Sequence, residues 1–308
     1  MLLIRTPLQA WLARQVLQAE VIADYDLVYF THDDSSEDRH YFGELAARAN
    51  ESQYCHVPVW RYDILSHLYA LYQTHSWRHR QSPDVVVLAS INSLVINALA
   101  AVHASSELVT FDDGLANILP RGTYHCDKSS SRMRLYRSLL GATDLDAIKN
   151  RISRHYTIYP DFDNIVEVSH LRYLVGWRRD ENQTSAPRNV RTYFISQPYE
   201  ETLTFDQVRA LEAHLRTIEI NCYVRHPRER RVLDIGVPNL DKHGLIAEDA
   251  ILRHAQGQPF HLIGWFSTAL FNLSAVAQSS TMLLLHSDPN SHEMASLACR
   301  AGCKIVLI

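Results

Sequence analysis

Short apolar segments alternate along this chain with segments in which apolar residues recur at helical spacing. In the first half, the pattern predicts strands at Leu2–Arg5, Asp26–Thr31, Cys55–Trp60, Asp84–Ala89 and Glu107–Phe111. It predicts helices at Pro7–Ala19, Glu37–Ala49, Ile64–Thr74, Ser93–Val102 and Ala142–His155. Such alternation is typical of a parallel sheet that is covered by helices on both faces.

The alternation restarts in the second half, after Arg178–Arg188 (RRDENQTSAPR), a run of charged and turn residues without apolar periodicity. This run predicts a linker at 178–189 between one domain at 1–177 and another at 190–308. The second domain has predicted strands at Val190–Ile195, Ile218–Val224, Phe260–Gly264, Met282–His286 and Lys304–Leu307. Its predicted helices are Phe205–Thr217, Glu248–His254 and one that starts at Ser267, and Ser279–Thr281 is predicted to be a loop.

The expected fold is therefore α/β, with two Rossmann-like domains facing a central cleft. In such sheets ligands bind at the carboxyl ends of the strands. The length of 308 residues, 46% of them hydrophobic and 21% charged, fits two ordinary domains of a globular protein.

The charge balance and the apolar pattern exclude some partners. A net charge of -4 gives no basic field that would attract nucleic acid. The longest apolar runs are too short for a membrane-spanning helix, and the N-terminal segment lacks a signal-peptide cleavage site. We expect a cytoplasmic protein whose membrane association is at most peripheral.

The segment Asp112-Asp113-Gly114 directly follows the predicted strand Glu107–Phe111. A carboxylate at the end of a strand can act as a general base toward a hydroxyl group, and glycine permits the tight turn. The alternative is a structural turn with a helix cap. The spacing is not D-x-D, the usual metal–nucleotide pattern, and so leans against an essential divalent cation.

The segment Arg225-His226-Pro227-Arg228 follows another predicted strand. Proline restricts His226 to extended backbone, and an imidazole among arginines suits a ligand that carries phosphate. The alternative is a polar surface loop.

Further polar residues follow other predicted strands. Gly264 ends a strand shortly before Ser267 and Thr268, which open an apolar helix whose N-terminus can bind an anion. Candidates at other strand ends are Thr6, Gln9, Ser90 and Asn92. Each of these residues is also a normal turn or cap residue.

Taken in order, TPLQ at Thr6–Gln9, FDDG at Phe111–Gly114, HPRE at His226–Glu229 and G-x-x-S-T-x-L at Gly264–Leu270 resemble motifs of bacterial sialyltransferases of glycosyltransferase family 52. The resemblance implies a GT-B-like fold with an acceptor-side N-terminal domain and a CMP-binding C-terminal domain. It also implies transfer of sialic acid from CMP-sialic acid to a terminal galactoside of a lipooligosaccharide, O-antigen or capsule glycan, which is oligosaccharide or lipid-linked. It implies inversion at the anomeric carbon, with no metal or other cofactor.

The resemblance also implies roles for individual residues. Asp113, or else Asp112, corresponds to the general base, and His226 to the group that protonates or hydrogen-bonds the departing phosphate. Ser267 and Thr268 correspond to phosphate-binding hydroxyls, and Glu248 to a ribose-binding carboxylate. The other candidate substrate-binding residues, chosen by their place at strand ends and in the motifs, are Thr6, Gln9, Ser90, Asn92, Gly114, Arg225, Pro227 and Gly264.

Three questions stay open at the level of sequence. The base can instead lie shortly before the His-Pro strand, where Glu200, Glu201 and Asp206 occur; Asp113 ranks first, Asp112 second and Glu201 third. The chain could use another nucleotide-sugar, or be a non-catalytic two-lobed binding protein. An α2,3 linkage is preferred over α2,6, and a homodimer is compatible with the sequence.

Overall fold

The computed structural model describes residues 1–58, 64–127, 129–178, 190–201, 203–284 and 291–308. These residues form two compact units, Met1–Leu174 and Val175–Ile308. The predicted linker lies outside the described residues except for Arg178. The predicted first domain runs to 177, whereas Trp177 donates from its indole nitrogen to Asp249 at 2.8 Å and so belongs to the second unit.

The described strands of the first unit form one parallel sheet in the order β3-β2-β1-β4-β5-β6-β7. Their bounds are β1 Leu2–Ile4, β2 Leu27–Thr31, β3 Ser52–His56, β4 Val85–Leu88, β5 Glu107–Phe111, β6 Ile152–Thr157 and β7 Leu171–Tyr173. The order of the first six is that of the doubly wound dinucleotide-binding fold. Strand β1 is fully buried in the middle of the sheet, as its apolar sequence predicts.

The helices of this unit are α1 Pro7–Ala19, α2 Ser36–Ala46, α3 Ile64–Gln73, α4 His75–Arg78, α5 Leu94–Val102, α6 Ser131–Leu139 and α7 Leu145–Asn150. Short 3₁₀ turns span Gly114–Asn117 and Val168–His170. Helix α1 begins where the side chain of Thr6 accepts a hydrogen bond from the Gln9 backbone and Pro7 occupies the first turn.

Two predicted elements of the first unit were wrong in their bounds. The helix predicted at Ala142–His155 ends at Asn150, and Ile152–Thr157 is strand β6. The reason is tertiary: the backbone of β5 pairs in parallel with β6 along this edge. The strand predicted at Cys55–Trp60 starts earlier, at Ser52, because its backbone pairs with β2; Val59 and Trp60 lie outside the described residues.

The described strands of the second unit form a parallel sheet in the order β12-β11-β10-β8-β9. Their bounds are β8 Arg191–Ile195, β9 Cys222–Val224, β10 Phe260–Gly264, β11 Ser279–Leu284 and β12 Lys304–Leu307. The helices are α8 Phe205–Leu215, α9 Ala247–Ala255, α10 Thr268–Ser274 and α11 Ser291–Arg300, and Tyr199–Glu201 is a 3₁₀ turn.

The predicted loop at Ser279–Thr281 was wrong. These residues open β11 and pair with His261–Ile263 of β10. Pairing uses the backbone, so hydroxyl side chains do not prevent it. His286, the predicted end of this strand, lies outside the described residues. Across the described part of both units, none of the helices has the length and apolar character needed to cross a bilayer.

Candidate active site

A buried glutamine joins three strand ends in the first unit. Gln9 accepts a hydrogen bond from the backbone N–H of Arg5, which follows β1, at 2.9 Å. Its amide nitrogen donates to Ser90 Oγ, beyond the end of β4, at 2.7 Å and to Asp113 Oδ1, beyond the end of β5, at 2.6 Å. The side chain is inaccessible to solvent. Gln9 thus fixes the predicted base relative to the sheet.

The carboxylate of Asp113 is held from two sides and remains half-buried. Its Oδ2 accepts from Ser90 Oγ at 3.0 Å and from the hydroxyl of Tyr124. Among the described residues Oδ1 accepts only the bond from Gln9, so a second lone pair remains that can receive a proton.

The turn after β5 depends on Gly114. Its φ of 58° lies in the left-handed region, which a residue with a side chain adopts only at a cost. Beyond it, the side chain of Asn117 accepts from the Asp113 backbone N–H at 2.6 Å. The turn therefore points two adjacent carboxylates in different directions.

Asp112 points into the protein and is completely buried. Its Oδ2 accepts from the backbone N–H of Ile158 at 2.8 Å, and its Oδ1 lies 3.1 Å from His155 Nε2. The other ring nitrogen of His155 lies 2.8 Å from Thr110 Oγ1. Because its carboxylate is buried and bonded within the protein, Asp112 stabilises the turn. Asp113 is the carboxylate of the two that a substrate can reach.

Tyr124 is a site residue that the sequence analysis missed. Burial, together with the neighbouring charge of Asp113, raises its pKa well above the usual value, so the phenol stays protonated and donates. No signal in the sequence marks it, because it lies eleven positions after Asp113 in a turn.

Thr6 and Asn92 are not among the described side chains that hydrogen-bond to the Asp113 carboxylate. Thr6 is exposed and caps α1. The side chain of Asn92 donates to Thr123 Oγ1 at 3.1 Å and lines a cavity of about 700 Å³. Thr123 lines the same cavity and immediately precedes Tyr124, so this cavity adjoins the loop that holds Asp113.

In the second unit, the loop after β9 fixes the ring of His226. The backbone N–H of Arg228 donates to His226 Nδ1 at 3.1 Å. This bond needs a lone pair on Nδ1, so the neutral ring carries its proton on Nε2. Arg225, Pro227 and Arg228 are exposed beside it. The histidine is thereby oriented as a hydrogen-bond donor among cations.

Glu229 supports this loop; the sequence marks it only as the last residue of the HPRE motif, with no role of its own. It is 2% exposed, and the hydroxyl of Tyr223 donates to it; burial raises the pKa of Glu229. Its backbone carbonyl accepts from Arg225 at 2.7 Å, and its N–H donates to the His226 carbonyl at 3.1 Å. The loop is therefore tied to the end of β9.

The alternative bases before this loop lie against it. The carboxylate of Glu201 is 3.4 Å from Arg228, and both side chains are about half exposed. Glu200 accepts from the backbone N–H of Arg231 at 2.7 Å. The structure thus brings Glu201 to the segment that holds His226. Asp206 sits in the first turn of α8 and is exposed.

Gly264 and Ser267 have structural roles that the fold makes explicit. A Cβ on Gly264 would lie 3.0 Å from the carbonyl oxygen of Ile195 on β8, so glycine is needed for close pairing. Ser267 Oγ accepts from the Leu270 N–H at 3.2 Å and caps α10. The hydroxyl protons of Ser267 and Thr268, both partly exposed, can still be donated to a ligand.

Glu248 is buried at the start of α9 and accepts from the amide of Asn272 on α10 at 2.7 Å. Burial raises the pKa of Glu248 to about 7. This contact joins the two helices and places the carboxyl group below the surface. Over the described parts of both units, no three His, Cys, Asp or Glu side chains are grouped so that they could hold a metal ion.

Two Rossmann-like units, each with polar clusters at its strand ends, are the architecture of the GT-B fold. The chain is similar to the crystal structure of the alpha/beta-galactoside alpha-2,3-sialyltransferase from the luminous marine bacterium Photobacterium phosphoreum. The TM-score is 0.54 at 10% identity, over 99% of this chain and 97% of that one. At this identity the likeness concerns the fold, and it confirms the predicted fold class.

The chain belongs to glycosyltransferase family 52, whose family model matches residues 32–288. It is 30% identical over 233 residues to a CMP-N-acetylneuraminate:beta-galactoside alpha-2,3-sialyltransferase of Pasteurella multocida, covering 74% of this chain and 72% of that protein. It is 29% identical over 192 residues to an N-acetyllactosaminide alpha-2,3-sialyltransferase of Haemophilus influenzae, covering 62% and 60%. The predicted family is confirmed.

Proposed function

We propose that this glycosyltransferase moves sialic acid from CMP-sialic acid to a terminal galactoside of a bacterial surface glycan, with an α2,3 linkage. The names of the Pasteurella and Haemophilus relatives support the donor, the acceptor and the linkage. The observation that carries the chemistry is the pair of oriented groups, a half-buried carboxylate at Asp113 and an Nε2–H donor at His226.

The second unit must stabilise the departing phosphate of the donor. As the bond from the sialyl anomeric carbon to phosphate breaks, the sugar gains oxocarbenium character and negative charge gathers on the phosphate oxygens. His226 donates from Nε2 to that phosphate, and the exposed Arg225 adds positive charge. Donors fixed before the reaction stabilise developing charge without having to reorganise. Ser267 and Thr268 would supply further hydroxyl donors.

The first unit must accept a proton from the acceptor sugar. Its hydroxyl must lose a proton as it attacks the anomeric carbon, and Asp113 would take that proton on Oδ1. Gln9, Ser90 and Tyr124 would hold the carboxylate in place, so that its accepting lone pair meets the hydroxyl in one orientation. General-base catalysis by such a group contributes about 10²- to 10⁴-fold.

The cavity lined by Asn92 and Thr123 is our candidate for the acceptor sugar. Its volume of about 700 Å³ is adequate for a disaccharide end, and its lining residue Thr123 directly precedes Tyr124.

Attack by the acceptor on the face opposite to the departing phosphate would invert the anomeric carbon in one displacement. We propose that the reaction needs no metal, since His226 and the arginines would offset the phosphate charge. Transfer that continues unchanged in excess EDTA would support this, and transfer restored by Mg²⁺ or Mn²⁺ after EDTA treatment would contradict it.

The test of the reaction uses CMP-sialic acid with lactose and follows the release of CMP and the formation of sialyllactose. His226→Ala should lower the rate by about 10²-fold or more, while circular dichroism stays unchanged. An α2,3-specific sialidase should remove the product's sialic acid. Turnover of another nucleotide-sugar with no use of CMP-sialic acid would overturn the proposed donor.

The base is tested by comparing Asp113→Asn with Glu201→Gln. We expect Asp113→Asn to lose at least about 10²-fold in rate, and Glu201→Gln to lose much less because its carboxylate already pairs with Arg228. Donor affinity, measured by CMP inhibition, should change little in both. The reverse order of rates would transfer the role to Glu201.

A further inference from the structure

Two arginines of helix α6 line the candidate acceptor cavity of about 700 Å³. Arg134 and Arg137 are three positions apart, a spacing that places both side chains on one face of the helix. A neutral sugar needs hydrogen-bond donors and acceptors but no concentration of positive charge. The two guanidinium groups therefore indicate a further feature of the ligand.

Arg137 is half-buried, and no carboxylate pairs with it directly. Its Nη1 donates to the backbone carbonyl of Asn92 at 2.8 Å, and among the described residues its guanidinium forms no ion pair. Burial lowers the pKa of Arg137, although an arginine stays charged at neutral pH. A charge that is partly withdrawn from water without a counter-ion is costly, so this position favours an anionic ligand.

The two carboxylates that line the same cavity are exposed and already bonded to their own loops. Hydrogen bonds from the hydroxyl and the backbone N–H of Ser129, the latter at 2.8 Å, lower the pKa of Asp127 more than the arginines do. Asp144 accepts from the backbone N–H of Ala147 at 2.6 Å and caps α7. Water screens exposed charges, so these carboxylates offset Arg137 only weakly.

Arg134 adds a second cation to this wall. It is exposed, and its side chain makes no hydrogen bond or ion pair with any other residue in the described part of the chain. Its guanidinium can therefore turn toward a ligand without breaking a contact within the protein.

The half-buried cation is joined to the loop that holds the proposed base. Asn92, whose carbonyl binds Arg137, lies two positions after Ser90. Ser90 in turn donates to Asp113 at 3.0 Å. Because the cavity is large enough for a disaccharide end, a hydroxyl at Asp113 and an anion at Arg137 can belong to one acceptor, with the anion on the reducing side of the terminal galactose.

We propose that the acceptor is an acidic glycan, and that Arg137, assisted by Arg134, binds a carboxylate or phosphate group on the sugar next to the terminal galactose. A guanidinium group presents paired N–H donors whose geometry matches both anions. The inference rests on the proposed transfer to a galactoside and adds the charge of the acceptor to it.

The experiment compares acceptors that share a terminal galactose and differ in charge, with CMP-sialic acid as the donor. Lactobionate carries a carboxylate where lactitol, which is also open-chain, carries a neutral hydroxymethyl group. Lactose 1-phosphate is compared in the same way with methyl lactoside. We expect kcat/KM to be about tenfold higher for the charged member of at least one pair, and this advantage should shrink as salt is added. The pair that shows the larger advantage identifies the anion.

Arg137→Gln should lower the ratio of kcat/KM between the charged and the neutral acceptor about tenfold. Arg134→Gln should lower this ratio less, because water screens an exposed charge. Arg132→Gln is the matched control, since Arg132 is exposed on the same helix and does not line the cavity; its ratio should equal that of the unmodified chain. Circular dichroism and thermal unfolding verify the fold of each variant.

Equal kcat/KM for the charged and neutral acceptors of both pairs would overturn the proposal, as would an advantage that Arg137→Gln leaves intact. The donor is also an anion, so its KM is measured in each variant. A raised KM for CMP-sialic acid with an unchanged acceptor ratio would assign Arg137 to the donor and would likewise overturn the proposal.

Calorimetric titration without a donor separates this inference from the proposed reaction. The charged acceptors should bind the unmodified chain more tightly than their neutral partners, and Arg137→Gln should remove the difference. If this holds while CMP-sialic acid is not used, the proposed reaction fails and the acidic ligand stands. Transfer to lactose with no preference for charge in either assay would do the reverse.

Discussion

The contact between Tyr124 and Asp113 can be tested by removing a single oxygen. Tyr124→Phe deletes the hydroxyl that donates to Asp113 Oδ2 and leaves the ring, which is 2% exposed, in its packing. Asp113 Oδ2 keeps its bond from Ser90 at 3.0 Å, so the carboxylate is not left unsatisfied. The loss is therefore that of one hydrogen bond to a charged group, about 1.5–3 kcal/mol.

Urea unfolding of four proteins measures this value: the unmodified chain, Tyr124→Phe, Asp113→Asn and the double variant. If the hydroxyl donates to the carboxylate, Tyr124→Phe should cost about 1.5–3 kcal/mol in the unmodified background. It should cost clearly less once Asp113 is replaced, with a coupling of roughly 1 kcal/mol or more.

Tyr25→Phe is the matched control, because its buried hydroxyl donates to the neutral backbone carbonyl of Leu45 at 2.7 Å. Tyr25→Phe should lower the free energy of unfolding by about 0.5–1.5 kcal/mol, and by the same amount whether or not Asp113 is replaced. If Tyr124→Phe costs the same with and without the carboxylate, the assigned hydrogen bond is refuted, along with the view that Asp113 is held from two sides.

Three further predictions concern the supports of the site. Asp112→Asn should lower the free energy of unfolding by about 1–3 kcal/mol in urea, because the buried contacts with His155 and Ile158 lose charge; a loss of rate at unchanged stability would contradict its bracing role. Because burial raises the pKa of Glu248 to about 7, the folded state binds its proton more tightly than the unfolded chain. The protonated Glu248 side chain therefore contributes stability that is present below about pH 4.5 and is lost as the pH rises to about 7. Glu248→Gln should remove this pH dependence of the free energy of unfolding, measured in urea. The same pH dependence in the variant and the unmodified chain would refute the prediction. Gly264→Ala should lower the free energy of unfolding by about 1–3 kcal/mol, because the new Cβ would lie 3.0 Å from the carbonyl oxygen of Ile195. As a control, Gly43→Ala in α2 places a Cβ with nothing within 4 Å and should raise the free energy of unfolding by about 0.5–1 kcal/mol. Equal effects of the two substitutions in thermal unfolding would refute the close approach at Gly264.

The alternation of strands and helices was predictable because buried parallel strands are short, apolar and far from helical periodicity. Strands β1, β4 and β5 fit that rule. Strands β6 and β11 do not, since ISRHYT and SSTMLL mix polar residues with apolar ones. Their existence depends on backbone pairing with a neighbour that is distant in sequence, which local periodicity does not contain.

Part of the candidate site could likewise be predicted from the sequence, and part of it could not. Strand-end motifs marked Gln9, Asp113 and His226, because polar residues after an apolar strand stand out in sequence. The sequence could not say which of two adjacent aspartates is buried, since that depends on His155 and Ile158, which lie more than forty positions away. Tyr124 was invisible for a similar reason, and Glu229 was visible only as the last residue of the HPRE motif, because the roles of both arise from burial.

The triple contact of Gln9 has a consequence for how this enzyme can be varied. The carboxylate of Asp113 is registered to the sheet by groups at the ends of β1 and β4, before the chain reaches the loop beyond Asn117. Residues 118–143 include much of the wall of the cavity that we propose for the acceptor sugar, so we expect exchanges in this stretch to alter acceptor use while Asp113 keeps its contacts with Gln9 and Ser90. Among the described residues of that stretch, an exchange would need to retain Tyr124, because its hydroxyl donates to Asp113.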